Sequence, residues 1–214
     1  MRFFQILSTL VLTGALTSCS VAESPVVTPT GPSEVSAIAE LGAQIAGLPV
    51  KDRVEYFADV RSQGRTGTAR KTAPVDARPA EPGETVVSRL EGDGIETVSA
   101  PAVAGDMVVR SNCGANQETE ILVAAEKFST RYGSAQSGSD KGGYRSYLPT
   151  GEDMAYVIVS EADGEFALEA PWGEMMVARP GDEIVQNLGD PSDIYRIYGP
   201  AFDCTYEVVE PARS

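Results

Sequence analysis

The side chains that could do chemistry in this chain are three cysteines and 31 Asp and Glu residues, because no histidine occurs among its 214 residues. Serine–histidine sites and histidine-ligated metal sites are therefore excluded. A hydrolase that uses two paired carboxylates on a wall sugar stays open as an alternative. Asp106 and Asp182 are candidates for it, but each follows a glycine at the start of a β-prone segment. A role in a turn explains both residues more simply.

One acidic segment could offer oxygen ligands to calcium. It is Asp190-Pro191-Ser192-Asp193, and its spacing does not match an EF-hand loop. We therefore predict no metal site and no cofactor.

The first cysteine, Cys19, closes a segment that is typical of an export signal. Met1-Arg2-Phe3-Phe4-Gln5 gives a positive start, residues 6–16 are mostly apolar, and Leu16-Thr17-Ser18 leads into the cysteine. The apolar core is shorter than the roughly 20 residues that a membrane-spanning helix needs. We expect residues 1–18 to be a signal peptide.

The sequence Leu16-Thr17-Ser18-Cys19 resembles the lipobox of bacterial lipoproteins. The resemblance implies that Cys19 is lipidated, with palmitate among the attached acyl chains, and becomes the first residue after cleavage. Ser20 follows where the inner-membrane retention signal of that family has Asp, which implies the periplasmic face of the outer membrane. Ordinary signal cleavage after Ala22 and an uncleaved anchor are the alternatives.

Cys113 and Cys204 remain as an even pair once Cys19 is lipidated. In an oxidising compartment we expect them to form a disulfide bond. Closing a loop of about 90 residues stabilises a fold by roughly 4 kcal/mol on the chain-entropy model. Two free thiols are the alternative.

The net charge of −14 is concentrated in the later part of the chain. Residues 1–78 hold eight basic and seven acidic side chains, whereas residues 79–214 hold nine basic and 24 acidic ones. An acidic surface repels phosphate groups, so we predict no nucleic-acid partner.

Composition and periodicity divide the chain into seven segments. Ser33 is placed to cap a helix whose apolar residues recur at three- and four-residue steps, and a second helix follows. Two segments without an apolar pattern look like linkers; the basic one could instead contact anionic lipid or polymer. The predicted segments are a signal peptide (1–18), a flexible tether (19–32), a helical segment (33–62), a basic and Pro-rich linker (63–84), a first β-rich module (85–132), a Gly/Ser-rich linker (133–153) and a second β-rich module (154–210).

The two β-rich segments look like copies of each other, since five short matches occur in the same order. Coincidence between two β-rich segments is the alternative. The matches are Val87-Ser88 with Val159-Ser160, Asp93-Gly94 with Asp163-Gly164, Ala100-Pro101 with Ala170-Pro171, Gly105-Asp106-Met107-Val108-Val109 with Gly181-Asp182-Glu183-Ile184-Val185, and Phe128-Ser129-Thr130-Arg131-Tyr132 with Phe202-Asp203-Cys204-Thr205-Tyr206.

The second copy contains Pro171-Trp172-Gly173, Pro180-Gly181-Asp182, Tyr195 and Phe202 to Tyr206. These motifs resemble those of small bacterial and phage modules of unknown function, in which the same turns and aromatic residues recur. The resemblance covers about 35 residues and supplies no activity.

Aromatic and arginine side chains favour the centres of interfaces. Six such residues form a candidate recognition surface: Trp172, Tyr144, Tyr147, Tyr195, Arg196 and Tyr198. The alternative is that these residues complete the core of a small β module with their polar ends in solvent.

From the sequence we expect an α+β fold, with a short N-terminal helical segment followed by a tandem pair of small β-rich modules. The expected function is that of a lipid-anchored envelope protein with a non-catalytic binding or structural role. Its expected partners are the membrane, through the lipid anchor, and an envelope protein or polymer. The envelope-polymer hydrolase with paired carboxylates is the alternative function.

Overall fold

The structure is a computed structural model that describes residues 32–90, 94–111, 113, 119–136, 138–140 and 142–213. The expected signal peptide, Cys19 and the expected tether up to residue 31 lie outside the described residues. Among the described residues, none of the helices has the length and apolar character needed to cross a bilayer.

The described residues form four helices and fourteen strands, and the expected mixed α+β class is confirmed. The helices are α1 (Pro32–Ile45), α2 (Arg53–Ser62), α3 (Ala125–Arg131) and α4 (Gly199–Thr205). The strands are β1 (Gly67–Lys71), β2 (Val75–Pro79), β3 (Val87–Leu90), β4 (Gly94–Val98), β5 (Met107–Ser111), β6 (Glu120–Val123), β7 (Tyr132–Ala135), β8 (Arg145–Pro149), β9 (Asp153–Ile158), β10 (Phe166–Glu169), β11 (Met175–Ala178), β12 (Glu183–Asn187), β13 (Ile194–Ile197) and β14 (Tyr206–Glu210).

Two antiparallel sheets of five strands hold most of these elements. The first sheet has the order β6-β5-β2-β8-β7, and the second has the order β13-β12-β9-β1-β14. Each sheet is accompanied by a two-stranded hairpin, β3–β4 in the first half of the chain and β10–β11 in the second. The two sheets therefore share one arrangement, in which β2 corresponds to β9, β5 to β12, β6 to β13, β7 to β14 and β8 to β1.

When the chain is divided into two successive repeats, β1–β7 and β8–β14, the fourth strand of each sheet comes from the other repeat. Strand β1 precedes β2 in sequence but pairs with β9 and β14, while β8 precedes β9 but pairs with β2 and β7. The crossing points match as well: the Thr72 N–H donates to the Thr205 carbonyl, and the Thr150 N–H donates to the Arg131 carbonyl, both at 2.9 Å. The two halves are thus interlocked by a reciprocal exchange of strands.

The core is divided among the faces of these sheets. One face of the second sheet packs with α2 and the β10–β11 hairpin, where Phe57, Val157, Phe166, Leu168 and Ile184 are almost fully buried. These aliphatic and aromatic side chains supply the main hydrophobic stabilisation of this half.

The N-terminal helices join both halves. The carboxylate of Asp52 caps α2 by accepting from the N–H groups of Val54 and Glu55. Helix α1 buries Ala37 and Leu41 against the β3–β4 hairpin. The expected helical segment 33–62 is therefore helical over most of its length, although Ser33 lies inside α1 and does not precede it.

Two segments that the sequence predicts to be linkers are instead parts of the sheets. Residues 63–84 contain β1 and β2, and residues 133–153 contain most of β7, all of β8 and the first residue of β9. In β1 and β2 the buried positions include the small residues Gly67, Ala69 and Ala77, so no strong apolar pattern marks these strands in the sequence.

The five sequence matches differ in structural meaning. Gly105-Asp106 and Gly181-Asp182 each lead into equivalent strands, and the Phe-to-Tyr motifs each occupy the equivalent helix and the start of the strand after it. By contrast, Ala100-Pro101 follows β4, whereas Ala170-Pro171 lies at the tip between β10 and β11.

The two remaining matches are also out of register. Val87 lies in β3, whereas Val159 follows β9. Gly94 begins β4, whereas Gly164 precedes β10, and Asp93 lies outside the described residues. Short turn motifs recur wherever hairpins occur, so order alone does not fix the register.

Candidate functional site

The six aromatic and arginine residues of the candidate surface do not form one surface. Tyr144 and Tyr147 belong to the first sheet and its adjoining loop, whereas Trp172, Tyr195, Arg196 and Tyr198 surround β13 of the second sheet.

Tyr144 and Tyr147 are part of the packing of the first half. The Tyr144 hydroxyl donates to Glu120 and accepts from the Arg78 guanidinium, and its side chain is buried. Tyr147 packs edge-on against Phe128 with ring centroids 5.0 Å apart. These contacts fit the core-packing alternative.

Arg196 is the centre of a buried ion-pair network. Its guanidinium donates to both carboxylate oxygens of Asp182, at 2.9 and 3.0 Å, and to Glu96 at 3.1 Å. The residue is only 3% exposed, and the ring of Tyr198 lies 5.4 Å from its guanidinium. A buried charge must be paired to be tolerated, and this network supplies that pairing. Arg196 is therefore occupied by contacts within the protein, one of which joins it to the β3–β4 hairpin of the first half.

Trp172 and Tyr195 form an aromatic pair in this region, in which Trp172 is exposed and Tyr195 is half-buried. Trp172 lies at the tip between β10 and β11, is 46% exposed and has its ring centroid 5.4 Å from that of Tyr195. The indole N–H is hydrogen-bonded to the carboxyl of Glu174. We call these two rings the Trp172–Tyr195 pair.

A second charged cluster supports Tyr195 from the first half of the chain. The guanidinium of Arg131, at the end of α3, lies 5.1 Å from the Tyr195 ring and donates to Asp193 at 2.8 Å. Lys127 of the same helix also donates to Asp193, at 3.1 Å. Asp193 is 1% exposed, so these cations neutralise a buried carboxylate.

The same contacts involve the loop Asp190-Pro191-Ser192-Asp193, which the sequence suggested as a possible source of calcium ligands. Lys127 lies 3.6 Å from Asp190 as well as bonding to Asp193, and Asp190 accepts from the Ser192 hydroxyl. The carboxylates of this loop are thus engaged by a cation of the protein. Among the described residues, no group of three or more His, Cys, Asp or Glu side chains is arranged to hold a metal ion.

Glu174 is a carboxyl group whose environment opposes ionisation. Burial raises its pKa from the ordinary 4.5 to about 7, and the nearby charge of Glu96 acts in the same direction. Hydrogen bonds from Trp172, Thr97 and the backbone of Ala100 partly offset the effect. A carboxyl group in this state can donate or accept a proton near neutral pH.

Glu183 is a second such group, and it lies inside the protein. Burial raises its pKa from 4.5 to about 8, and repulsion from Asp203 and Asp182 adds to the effect. The residue is 5% exposed, and its Oε2 atom has no hydrogen-bond partner.

Asp106 and Asp182, the candidates for paired-acid catalysis, perform the same structural task in the two halves. Asp106 accepts from the N–H groups of Val103 and Ala125, and Asp182 accepts from those of Arg179 and Gly199. Each carboxylate thereby closes a turn and caps the first N–H of the following helix.

The expected disulfide bond between Cys113 and Cys204 is present, with the two Cα atoms 6.0 Å apart. It joins the segment after β5 to α4, and so connects the two halves covalently. Cys19, the expected lipidation site, lies outside the described residues.

An open groove in the first half is lined by polar residues that bind one another. Arg78 donates to both carboxylate oxygens of Glu84, at 3.0 and 2.6 Å, and Pro82, Gly142 and Gly143 complete the walls. Because the guanidinium of Arg78 is already bound to Glu84, this groove is a weaker candidate for a binding site than the Trp172–Tyr195 pair.

Comparison with known proteins gives no relative: no family model, no curated protein and no solved structure matches this chain.

The sequence singled out Trp172 and Tyr195 but not the groups that position them. Glu174 and Arg131 were missed, and Asp193 was considered only as a calcium ligand. The contact of Arg131 with Asp193 joins positions 62 residues apart in sequence. Glu174 had a local signal, since it ends the turn that begins at Ala170.

Proposed function

We propose that this chain is a lipid-anchored protein of the cell envelope with a non-catalytic binding role, carried by two duplicated β-rich modules. The first module comprises the first sheet with the β3–β4 hairpin, and the second comprises the second sheet with the β10–β11 hairpin. The observation that carries the proposal is the Trp172–Tyr195 pair, whose indole is exposed and whose charged neighbours are bound to one another.

The envelope location is supported by two features of the cysteines. The Cys113–Cys204 bond suits an oxidising compartment. The segment before Cys19 has the features of a lipoprotein signal.

Binding is favoured over catalysis by the way the charged residues are used. Asp182 and Asp193 are buried and bind arginine, and Asp182 also caps a helix. A catalytic carboxylate must instead be free to meet a substrate. An anchored protein also raises the local concentration of its binding surface, which strengthens weak contacts.

The location is tested by metabolic labelling of growing cells with a clickable palmitate analogue. We expect label on the full-length chain in the membrane fraction, and loss of that label in Cys19→Ser. Cys113→Ser is the matched control, since it removes a different cysteine and should keep the label. An unlabelled wild-type chain recovered from the cytosol would refute the proposed anchor.

The binding role is tested by crosslinking in cells followed by mass spectrometry. We expect one set of envelope components to be recovered with the wild-type chain and with Trp172→Phe, which keeps an aromatic ring. Recovery should fall in Trp172→Ala. Identical recovery from all three chains would mean that the Trp172–Tyr195 pair is not the binding surface.

A paired-acid hydrolase is the second candidate, and one observation favours it. Burial raises the pKa of Glu174 to about 7, and the charge of Glu96 acts in the same direction. A protonated Glu174 beside an ionised Glu96 would resemble the paired acids of a glycoside hydrolase. Release of soluble sugar from purified wall by the wild-type chain, abolished in Glu174→Gln, would establish this function in place of binding. We expect no release from either chain.

A further inference from the structure

We infer that the Trp172–Tyr195 pair is a platform for an uncharged sugar ring of an envelope glycan. This inference rests on the proposed function, because it names the ligand class of that same surface.

The platform is rigid because the turn that carries Trp172 is closed by hydrogen bonds. The Gly173 N–H donates to the Ala170 carbonyl at 2.9 Å, and the Ala170 N–H donates to the Glu174 carbonyl at 2.8 Å. Gly173 has a φ of 90°, a conformation that glycine adopts without strain. The indole is therefore held in place before any ligand arrives, which lowers the entropic cost of binding.

The indole N–H is already satisfied, which defines what the exposed surface can offer. The carboxyl of Glu174 accepts this donor, yet nearly half of the Trp172 side chain stays in contact with solvent. What is left for a ligand is the aromatic surface. Tyr195 supports the indole, and the hydroxyl of Tyr195 is in turn hydrogen-bonded to the half-buried Tyr206.

The ionic groups around the platform are bound to one another and largely buried, and this favours an uncharged ligand. Arg131 is paired with Asp193, and Arg196 is paired with Asp182 and Glu96. The guanidinium of Arg131, 5.1 Å from the Tyr195 ring, opposes a cationic ligand there, and the carboxyl of Glu174, bonded to the indole, opposes an anionic one. These groups therefore offer no exposed, unpaired counter-ion to a charged ligand.

A sugar ring matches the two kinds of contact that this surface provides. The C–H groups of its apolar face carry a small positive charge and pack on the negative face of an aromatic ring. Its hydroxyl groups can exchange hydrogen bonds with the carboxyl of Glu174, which lies at the edge of the indole. Aromatic surface with one polar group at its edge is a common composition for a small-molecule site.

The first test uses Trp172 as its own reporter, because it is the only tryptophan in the chain. The full chain is titrated with chitotetraose, an uncharged chain of N-acetylglucosamine, and tri-lysine is the cationic comparison. We expect a saturable change in tryptophan fluorescence with chitotetraose and none with tri-lysine. A response to tri-lysine alone would overturn the ligand class.

The second test compares variants by calorimetric titration with chitotetraose. We expect Trp172→Ala and Tyr195→Ala to weaken binding by about tenfold or more, and Trp172→Phe to weaken it less. Ile121→Ala is the matched control, since Ile121 is the exposed equivalent of Tyr195 in the first sheet and should leave affinity unchanged. Equal affinity in Trp172→Ala and wild type would overturn the site.

This inference and the proposed function fail in different ways. If the chain is palmitate-labelled and in the envelope but binds no chitotetraose, the glycan platform is wrong and the anchored protein is not. If chitotetraose binds at Trp172 but Cys19 carries no lipid, the anchorage is wrong and the platform is not.

Discussion

The two halves of this molecule use one strand arrangement with different side chains at the same positions. When the equivalent strands of the two sheets are aligned, Asp106 matches Asp182, Met107 matches Glu183 and Leu122 matches Arg196. The shared aspartate does the same work twice, accepting from two backbone N–H groups in each half. The turn and the helix cap are therefore properties of the arrangement itself.

The other two positions are apolar in the first half and charged in the second. Leu122 packs against the cluster around Val108, and Met107 packs beside Val109. Arg196 instead binds Asp182 and reaches Glu96, and Glu183 is a buried acid without a partner for one oxygen. Where the first half has hydrophobic packing, the second half has a polar junction with the first, and the Trp172–Tyr195 pair lies beside that junction.

The exchange of strands predicts the largest difference between the halves. The first sheet is formed by the continuous segment 75–149, whereas the second sheet needs β1 in addition to residues 153–210. We expect segment 75–149, made with Cys113→Ser, to give a β-type circular dichroism spectrum and a cooperative thermal transition. Segment 153–213 should give neither, because β9 and β14 lose the strand between them.

A rearranged chain provides the control for this comparison. Arg70 pairs with Asp153, so the end of β1 lies beside the start of β9. Replacing residues 73–151 by a short Gly-Ser turn in a chain that starts at residue 49 should restore the second sheet, with α2 and β1 in place. Equal folding of segment 153–213 with and without β1 would contradict the exchange.

Removing the shared aspartate should be more costly in the second half. Asp182→Ala leaves the buried Arg196 without its main partner, and we expect a loss of about 3–5 kcal/mol in the free energy of unfolding by urea. Asp106→Ala loses only backbone contacts and should cost about 1–3 kcal/mol. Adding Arg196→Leu, which copies Leu122, should recover part of the Asp182→Ala loss. Equal losses at Asp106 and Asp182 would show that the ion pair contributes nothing.

The disulfide bond should contribute a similar or smaller amount and act on both halves together. It closes a separation of 91 residues between Cys113 and Cys204. We expect reduction to lower the free energy of unfolding by about 2–4 kcal/mol, chiefly by freeing the unfolded chain. The reductant should have no effect on a Cys113→Ser, Cys204→Ser double variant, and an unchanged melting temperature of the wild type would remove this contribution.

The sequence was sufficient for features that depend on nearby residues. The Gly-Asp turns, the helix capped by Asp52 and the Pro171-Trp172-Gly173 turn all follow from local side-chain preferences. The bond between Cys113 and Cys204 follows from having one even pair.

Features that depend on distant residues could not be read in this way. Strands β1 and β2 bury Gly67, Ala69, Val75 and Ala77 and place charged residues between some of them, which gives the composition of a linker. The exchange of β1 and β8 leaves no local trace, because the partners of β1 lie more than 80 residues away in sequence. Arg196 and Glu96 lie 100 residues apart in sequence, so local sequence patterns could not predict the polar junction that they form.

Glu183 allows a further difference between the two halves to be measured through pH. Its pKa is about 8 in the folded protein, against an ordinary 4.5, so the folded state binds this proton more tightly than the unfolded state. The associated stability is complete below pH 4.5 and is lost as pH rises through 8. Each tenfold difference in proton affinity corresponds to about 1.4 kcal/mol, and we expect a loss on the order of 3 kcal/mol between pH 5 and pH 8.

Copying the first half should remove this loss. Glu183→Met places the residue found at Met107 in the equivalent position. The free energy of unfolding of this variant, measured with urea, should vary less with pH and should exceed that of the wild type at pH 8. Glu174 also has a raised pKa and acts in the same direction, so both chains are best compared in a Glu174→Gln background. Asp163 does not interfere, because Arg65 and Ser160 hold its pKa below the ordinary value and its contribution is lost only in acid. If Glu183→Met and its parent lose stability in parallel from pH 5 to pH 8, the buried acid is not what separates the two halves.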